Sequence, residues 1–417
     1  MMCIIKKKLW IAFLVFPFSV SYAQQKEFFN LNEILQHIDS NNVLLKTYGY
    51  RATAYQYSAE AATAWMPPMV GVGTFMTPYP FQKTMGNNGD IMFRVEQQFP
   101  NMKKLNAKKK YLESLGTVEN MNRSISFNDL RAEARLQYFT WVIALQKIKV
   151  LEDNDRILQT MKKIEAVRFP FNQSQLSSVY RAEAEIQKNR NMILMPQGDI
   201  EKAKAFLNGM MNRPGNEDFT IDTTVQLSMM PDMAFDTASI AQQRGDILKM
   251  DAGIQSMKLN IDAMNLERKP AFSIQFDHMT PLSGMMPYSF SVMGMMTIPI
   301  ASWSRKSYQS EIKSMQYNIS AMESERTAML QQTQGMLYGM HAQIMTMEQK
   351  IKSIEEKVIP ALQKTFDASF NSYQENKLSL TVVLDNWEAL NMMKQDVLDE
   401  KLKVIQMIIQ HEKELYQ

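Results

Sequence analysis

The sequence contains one structural unit written twice. Short matches recur about 200 residues apart along the chain, and a fixed spacing of this kind is the signature of an internal repeat. The matched positions are Asn42 with Asp246, Pro67 with Pro270, Pro100 with Pro299 and Asn172 with Asn376. We therefore predict an internal two-fold repeat, with units at about 27–212 and 232–417.

Each unit is dominated by one very long helical stretch. Proline is absent from residues 101–169 and 300–359, and about 60 helical residues extend about 90 Å. In the second stretch methionine recurs at every seventh position, which is typical of a coiled-coil seam: Met315, Met322, Met329 and Met336. Such rods are too long for a compact globular domain.

Shorter helices flank the rods in both units. We predict helices at 31–65 and about 238–268 that end before proline, and returning helices at 176–208 and 379–416. Two prolines are expected to disturb this pattern. Pro196 should interrupt the first returning helix, and Pro360 should kink or break the second rod.

Between the first helix and the rod of each unit, the pattern alternates with period two and predicts β-hairpins at about 69–100 and 271–299. Strands of about ten residues cross a bilayer when tilted. An open sheet edge is not tolerated in lipid, and closed barrels need at least eight strands, so several chains must contribute to one barrel. The predicted fold class is an α+β membrane protein, with a long α-helical coiled-coil barrel continuous with a transmembrane β-barrel shared between protomers.

Residues 1–23 read as a secretory signal peptide, with Lys6 to Lys8 before an apolar run and Ala23 before the cleavage site. Cleavage would remove Cys3, the sole cysteine, and would leave 24–417 as a single channel protomer. Without the three leader lysines, the 43 acidic residues are matched by an equal number of basic ones, so no nucleic-acid partner is expected. No catalytic motif occurs and the four histidines are scattered, so we expect neither an enzyme nor a resident cofactor.

The duplicated order of helix, strand, strand and rod resembles the TolC-type outer-membrane efflux channels. Further signals are the strand-to-rod junctions at 96–100 and 297–300, and the likeness covers essentially all of the chain after the leader. The resemblance implies a homotrimer with a twelve-stranded barrel in outer-membrane lipid and a helical tunnel in the periplasm. It also implies a passive exit duct of a tripartite efflux system, with a periplasmic adaptor and an inner-membrane pump as partners.

The resemblance also suggests site residues. Asn172 and Asn376 lie in the turns expected to dock the adaptor and pump, where relatives carry glycine, and asparagine tolerates positive φ. Asp385 matches a family position whose carboxylates ring the closed entrance, whereas the other ring position is Val382. Arg94 and Glu96 would face the lumen, where they either tune ion passage or form ordinary cross-strand pairs.

Methionine is unusually frequent, with 36 copies. Thioether sulfur is a soft ligand suited to Cu(I) and, by the same argument, Ag(I). If apolar side chains face lipid, period two sends Met92, Met293 and Met295 to the lumen, and the outer mouth would carry the others: Met279, Met285 and Met286. This pattern resembles the copper and silver efflux branch of the family and favours Cu(I), Ag(I) or another heavy metal as cargo, bound transiently.

Three alternatives remain at the level of sequence. In the first, the methionines only fill helix seams and adapt to packing. In the second, the chain is a multidrug or general efflux duct of the same fold. In the third, it is a pore-less periplasmic coiled-coil adaptor, although adaptors do not need duplicated two-faced strands of bilayer length.

Overall fold

The computed structural model describes residues 27–77, 89–224, 236–282, 287–298 and 302–416. The first described elements are β1 (Glu27–Phe29), α1 (Leu31–Asn41), α2 (Val43–Ala61), β2 (Met69–Phe75), β3 (Asp90–Phe99), α3 (Met102–Arg168) and α4 (Leu176–Met210). They are followed by β4 (Phe219–Ile221), α5 (Thr237–Gln243), α6 (Gly245–Asn265), β5 (Ala271–Pro281), β6 (Ser289–Thr297), α7 (Ser302–Ser353), α8 (Ile359–Gln374) and α9 (Leu380–Leu415). The proposed signal peptide, Met285, Met286 and Pro299 lie outside the described residues.

The longer strands form an antiparallel sheet in the order β2-β3-β5-β6. Its register pairs Phe93 with His278 and Val95 with Phe276, and these rows continue onto β6 at Phe290 and Val292. Within one chain the sheet is open, with β2 and β6 at its edges.

The helices below the sheet follow the same lateral order as the strands. Helix α3 packs against α2 on one side and against α6 on the other, and α6 packs against α7. The order α2-α3-α6-α7 therefore continues the order β2-β3-β5-β6. Helix α3 has 67 residues and extends about 100 Å. Its lower half packs against α4 and α9, and α8 packs against α9.

The predictions of single helices at 31–65 and about 238–268 are wrong, because a break divides each segment. Asn42 has extended backbone (φ −61°, ψ 124°) and its side chain accepts hydrogen bonds from the first amides of α2. Arg244 is also extended, and its guanidinium binds Asp246 at 2.6 Å and Glu414 at 2.7 Å. Each break is therefore held by a polar side chain at the junction.

The two proline predictions have different outcomes. The predicted interruption at Pro196 is wrong, since α4 runs through this residue, which is buried. Packing of α4 along α3 offsets the cost of the missing amide, about 3 kcal/mol in an isolated helix interior. Near Pro360 the chain stays helical, but Ile354–Val358 forms a π-helical turn and Pro360 then lies in the first turn of α8. There its missing N–H has little cost.

A buried apolar cluster that includes strand β4 was not anticipated from the sequence. Strand β1 pairs in parallel with β4, and Phe219 makes edge-to-face contacts with Phe29 and Trp141. The guanidinium of Arg213 stands 5.1 Å from the Phe29 ring. These contacts fix the first described residues to the segment that follows α4.

Candidate pore and gate

The sheet has one polar face, defined by residues that lie directly opposite one another on neighbouring strands and therefore share a side of the sheet. From the loop end toward the helices its rows are Met92, Met279 and Ser289; Arg94, Asp277 and Ser291; Glu96, Gln275 and Met293; and Gln98, Ser273 and Met295. The lumen-facing residues chosen from period two, Met92, Met293 and Met295, thus fall on one face together with Arg94 and Glu96. The register adds Met279 to that face.

The opposite, apolar face is exposed in the single chain. Its most exposed side chains include Val70, Phe290 and Val292, with exposed fractions of 77%, 72% and 63%. Large apolar surfaces of this kind mark contact with a partner or with lipid.

Arg94 forms a cross-strand ion pair on the polar face. Its Nε lies 2.8 Å from Oδ1 of Asp277, whose Oδ2 accepts a hydrogen bond of 2.7 Å from Gln275 Nε2. Arg94 is therefore in an ordinary cross-strand pair, the simpler of its two interpretations. Among the described residues Glu96 has no ion-pair partner, and it faces Gln275.

The methionines of the polar face fall into two separate sets. Met92 lies directly opposite Met279, whereas Met293 faces Gln275 and Met295 faces Ser273. One row, that of Arg94 and Asp277, lies between the sets, so they are about 13 Å apart along the strands. The sulfur of Met92 accepts a weak contact of 3.7 Å from Arg94 Nη2, so a cationic group already stands beside it.

The described part of the chain holds no cluster of three or more His, Cys, Asp or Glu side chains that could bind a metal ion. It also holds no helix that is long and apolar enough to cross a membrane.

At the far end of the rods, two turns form the tip, residues 168–176 and 374–380. Asn172 and Asn376 both have left-handed backbone, with φ of 57° and 62°. Asparagine adopts this conformation more readily than other residues with a Cβ atom, which explains how the turns form without glycine.

A buried network that the sequence did not reveal connects the two halves of the tip. Glu165, 4% exposed, accepts a hydrogen bond of 2.6 Å from the Tyr373 hydroxyl and another from the Ser174 hydroxyl. Arg168 Nη2 donates to the carbonyl oxygens of Tyr373 and Gln374, at 2.7 and 2.9 Å. Burial and the neighbouring Glu165 carboxylate raise the pKa of Tyr373, so its hydroxyl remains a donor.

Asp385 lies in the first turns of α9 with its side chain 65% exposed. Its nearest cation is Arg181 of α4, at 3.8 Å, and Arg181 Nη1 also donates to Thr381 Oγ1 at 3.1 Å. Further from the tip, Lys188 and Glu388 form a second α4–α9 ion pair of 2.8 Å. Val382, at the other ring position suggested by the sequence, is also on the surface. Because valine has no carboxylate, Asp385 is the only acidic residue of the two ring positions.

Comparison with known proteins gives a clear result for the fold. No protein-family model and no curated protein matches the sequence. Among solved structures, the chain is similar to the outer-membrane channel OprN, with 12% identity, a TM-score of 0.73 and coverage of 92% of this chain and 89% of OprN. It is also similar to CusC, a protein described as forming a transmembrane channel, with 15% identity, a TM-score of 0.73 and coverage of 92% and 91%.

A third match is the CmeC outer membrane channel of Campylobacter jejuni, with 12% identity, a TM-score of 0.70 and coverage of 92% and 85%. The chain thus has the fold of the TolC-type outer-membrane efflux channels over nearly its whole length. At these identities the likeness establishes the shared architecture.

Proposed function

We propose that this protein is the outer-membrane exit duct of a tripartite efflux system. The observation that carries the proposal is a sheet with one polar and one exposed apolar face, open at both edges, whose strand order continues into the helices below it. A sheet of this kind needs neighbours on both sides before it can lie in lipid. The fold shared with outer-membrane channels supports the same placement.

Three copies supply the missing neighbours. Joining β6 of one protomer to β2 of the next gives twelve strands, a size within the range of closed membrane barrels. The edge helices show the same need for a partner: Tyr50 and Tyr57 on α2 are 75% and 69% exposed, and Tyr317 on α7 is 78% exposed. In the homotrimer, these helices would close a tunnel beneath the barrel and thus cross the periplasm.

The two-fold repeat belongs to this proposal and is supported by a pair of anchors. In the first unit, Asn42 Nδ2 donates to the carbonyl oxygen of Met210 at 2.9 Å, where α4 ends. In the second unit, Arg244 Nη1 donates to the carbonyl oxygen of Glu414 at 3.3 Å, where α9 ends. The break after the first helix of each unit thus holds the end of its returning helix.

The gate would lie at the tip. Three copies of Asp385 would form one carboxylate ring at the periplasmic entrance, and the network of Glu165, Arg168 and Tyr373 would hold the helix ends in the closed arrangement. The turns at Asn172 and Asn376 would dock a periplasmic adaptor and an inner-membrane pump. Phe171, 71% exposed, offers apolar surface for that contact.

For cargo, we favour Cu(I) or Ag(I) over a general drug substrate. The supporting observation is the direct opposition of Met92 and Met279 on the polar face, which places two thioether side chains together. The chain would act without catalysis and without a resident cofactor. A pore-less adaptor is the weaker reading, because it would leave the exposed apolar face without a role.

The cargo is tested by replacing Met92 and Met279 together with leucine. Leucine keeps the volume and removes the sulfur, so copper and silver tolerance should fall toward that of the deletion strain while trimer formation is unchanged. Replacement of Met296, which lies on the apolar face opposite Phe272, is the matched control. Unchanged metal tolerance in the double variant would remove the metal assignment and leave the duct.

The duct itself is tested by deleting the gene and measuring cell-associated copper and sensitivity to several drugs in parallel. If the protein is an exit duct, cells of the deletion strain should retain at least one class of compound. Retention of copper alone supports the metal cargo, and hypersensitivity to drugs alone supports the general efflux duct. A deletion strain that retains nothing contradicts an export role.

A further inference from the structure

We propose that the first turns of α3 bind anionic phospholipid headgroups where the barrel leaves the membrane. The inference rests on the proposed function, since it requires the sheet to lie in a bilayer. Residues 101–110, directly after β3, contain five lysines and no acidic residue: Lys103, Lys104, Lys108, Lys109 and Lys110.

Two exposed tryptophans mark the lower boundary of the apolar face. Trp65, 54% exposed, precedes β2 and packs edge-to-face on Phe99 at 5.8 Å. Trp303, 81% exposed, follows β6. Aromatic residues of this kind gather at the two membrane interfaces of barrels. The lysines begin one turn below Phe99 and extend over about 10 Å of helix, comparable to the headgroup layer.

Among the described residues, two of the five lysines have an ion-pair partner. Lys104 pairs with Glu267 at 2.5 Å and Lys109 with Glu113 at 3.7 Å. Within the part of the chain that the structure describes, Lys103, Lys108 and Lys110 have no ion-pair partner. Asp262 lies beside Lys103 and Lys110 in the groove between α3 and α6, but it is not within ion-pair distance of either.

The distribution of the lysines around α3 places charge on the outer surface whichever side of the helix faces outward. Lys109 points toward α2, because it shares a groove with Ala52 and Gly116. Two sides of α3 are free, in the sense that neither α2 nor α6 covers them. At 100° per residue, Lys103 and Lys110 lie together on one free side of the helix. Lys108 lies on the opposite side, so each free side carries at least one lysine without a carboxylate partner.

Phosphate-bearing lipid is the partner that this arrangement fits. A cluster of lysines next to a membrane segment attracts anionic headgroups, and the attraction is screened by salt within a Debye length. A protein partner would need an acidic surface that reaches the membrane boundary, and nothing in the structure calls for one. The lysines on the side of α3 that faces outward would therefore enrich anionic lipid around the barrel and fix its depth in the bilayer.

The test uses tryptophan fluorescence of the full mature protein in phosphatidylcholine vesicles that contain a brominated lipid. The remaining tryptophans, Trp141 and Trp387, are buried and 5% and 4% exposed, so quenching reports on Trp65 and Trp303. At low salt, dibrominated phosphatidylglycerol should quench more strongly than dibrominated phosphatidylcholine, and the apparent affinity derived from quenching should be higher by on the order of threefold. At high salt this preference should disappear.

The variant K103Q/K108Q/K110Q should lose this preference. The variant K163Q/K352Q/K364Q removes the same charge from exposed lysines far from the sheet and should keep it. Equal quenching by the two lipids in the wild type, or a preference that survives in the first variant, overturns the inference. Channel conductance is measured on the same vesicle preparation: a conducting protein without lipid preference removes only this inference, whereas a protein that never inserts removes the proposed function with it.

Discussion

At the residue scale, single polar side chains in buried positions hold the long helices together. Asn154 on α3 donates to Asn391 on α9 at 2.5 Å and accepts a bond of 3.3 Å from the Trp387 indole. All three side chains are buried. A sliding of α9 along α3 by one turn would leave these groups without partners, at a cost of about 1–3 kcal/mol each. The network therefore favours one register of the helices.

His411 gives a prediction about pH. It is 2% exposed on α9, and burial together with the positive potential of His341 on α7 lowers the pKa of His411 to about 4. Neighbouring charges on its own helix and on α3 are Glu412 and Arg135, which form an ion pair. The unfolded chain takes up the proton near pH 6.5, whereas the folded chain does not. The contribution of His411 to the free energy of unfolding is therefore fully present above pH 6.5 and is lost as the pH drops toward 4.

At pH 5 the loss from this residue should be about 2 kcal/mol. We expect the apparent midpoint temperature of unfolding of the purified protein to decrease when the pH is lowered from 7.5 to 5. The decrease should be smaller in the H411Q variant. His37, on the surface of α1, provides the control variant H37Q. Equal pH dependence in the wild type and H411Q would show that His411 does not contribute.

Tyr373 gives a prediction about the gate proposed for the tip. The Y373F variant removes the hydroxyl that donates to buried Glu165, a change expected to destabilise the closed tip by about 1–3 kcal/mol. The conductance of the reconstituted channel should therefore rise. Tyr180, 66% exposed on α4, supplies the control variant Y180F, which should conduct like the wild type. A closed-state conductance unchanged by Y373F would exclude this network from gating.

At the scale of elements, long periodic patterns were predictable and interruptions were not. The proline-free stretches predicted the ends of the long helices to within a few residues, because helix formation depends on the local spacing of residues. The break at Asn42 has a local signal, an asparagine that caps the next helix, but the break at Arg244 depends on Glu414, 170 residues away. The same limit explains why β1, β4 and the Glu165–Tyr373 contact were missed, since each needs a partner distant in sequence. The residues of the polar face followed from period two alone, but the pairing of Met92 with Met279 required the register.

The break at Asn42 predicts a measurable contribution to stability. Asn42 caps α2 and donates to the carbonyl oxygen of Met210, so the N42A variant loses a cap and a buried hydrogen bond. The expected destabilisation is about 1–2 kcal/mol, measured by chemical unfolding of the purified protein. The neighbouring N41A variant changes a residue whose side chain makes a long contact of 3.4 Å with His37 on the same exposed helix face, and it should be nearly neutral. Equal effects of N41A and N42A would contradict the anchoring role.

At the scale of the whole molecule, the proposed channel depends on closure between copies. One chain provides a sheet with two open edges, exposed aromatic side chains on both edge helices, and a helical wall in the same lateral order. These features have a common explanation if each protomer supplies one third of a closed wall. They would be unexplained in a protein that works as a single chain in water.

The most direct test of this claim is the conductance of the purified protein in a planar lipid bilayer, measured on material whose mass has been determined by native mass spectrometry. The account predicts a complex with three times the mass of the mature chain and discrete, reproducible conductance steps that grow in the Y373F variant. Monomeric protein that stays in solution without detergent and never produces a conductance step would contradict it.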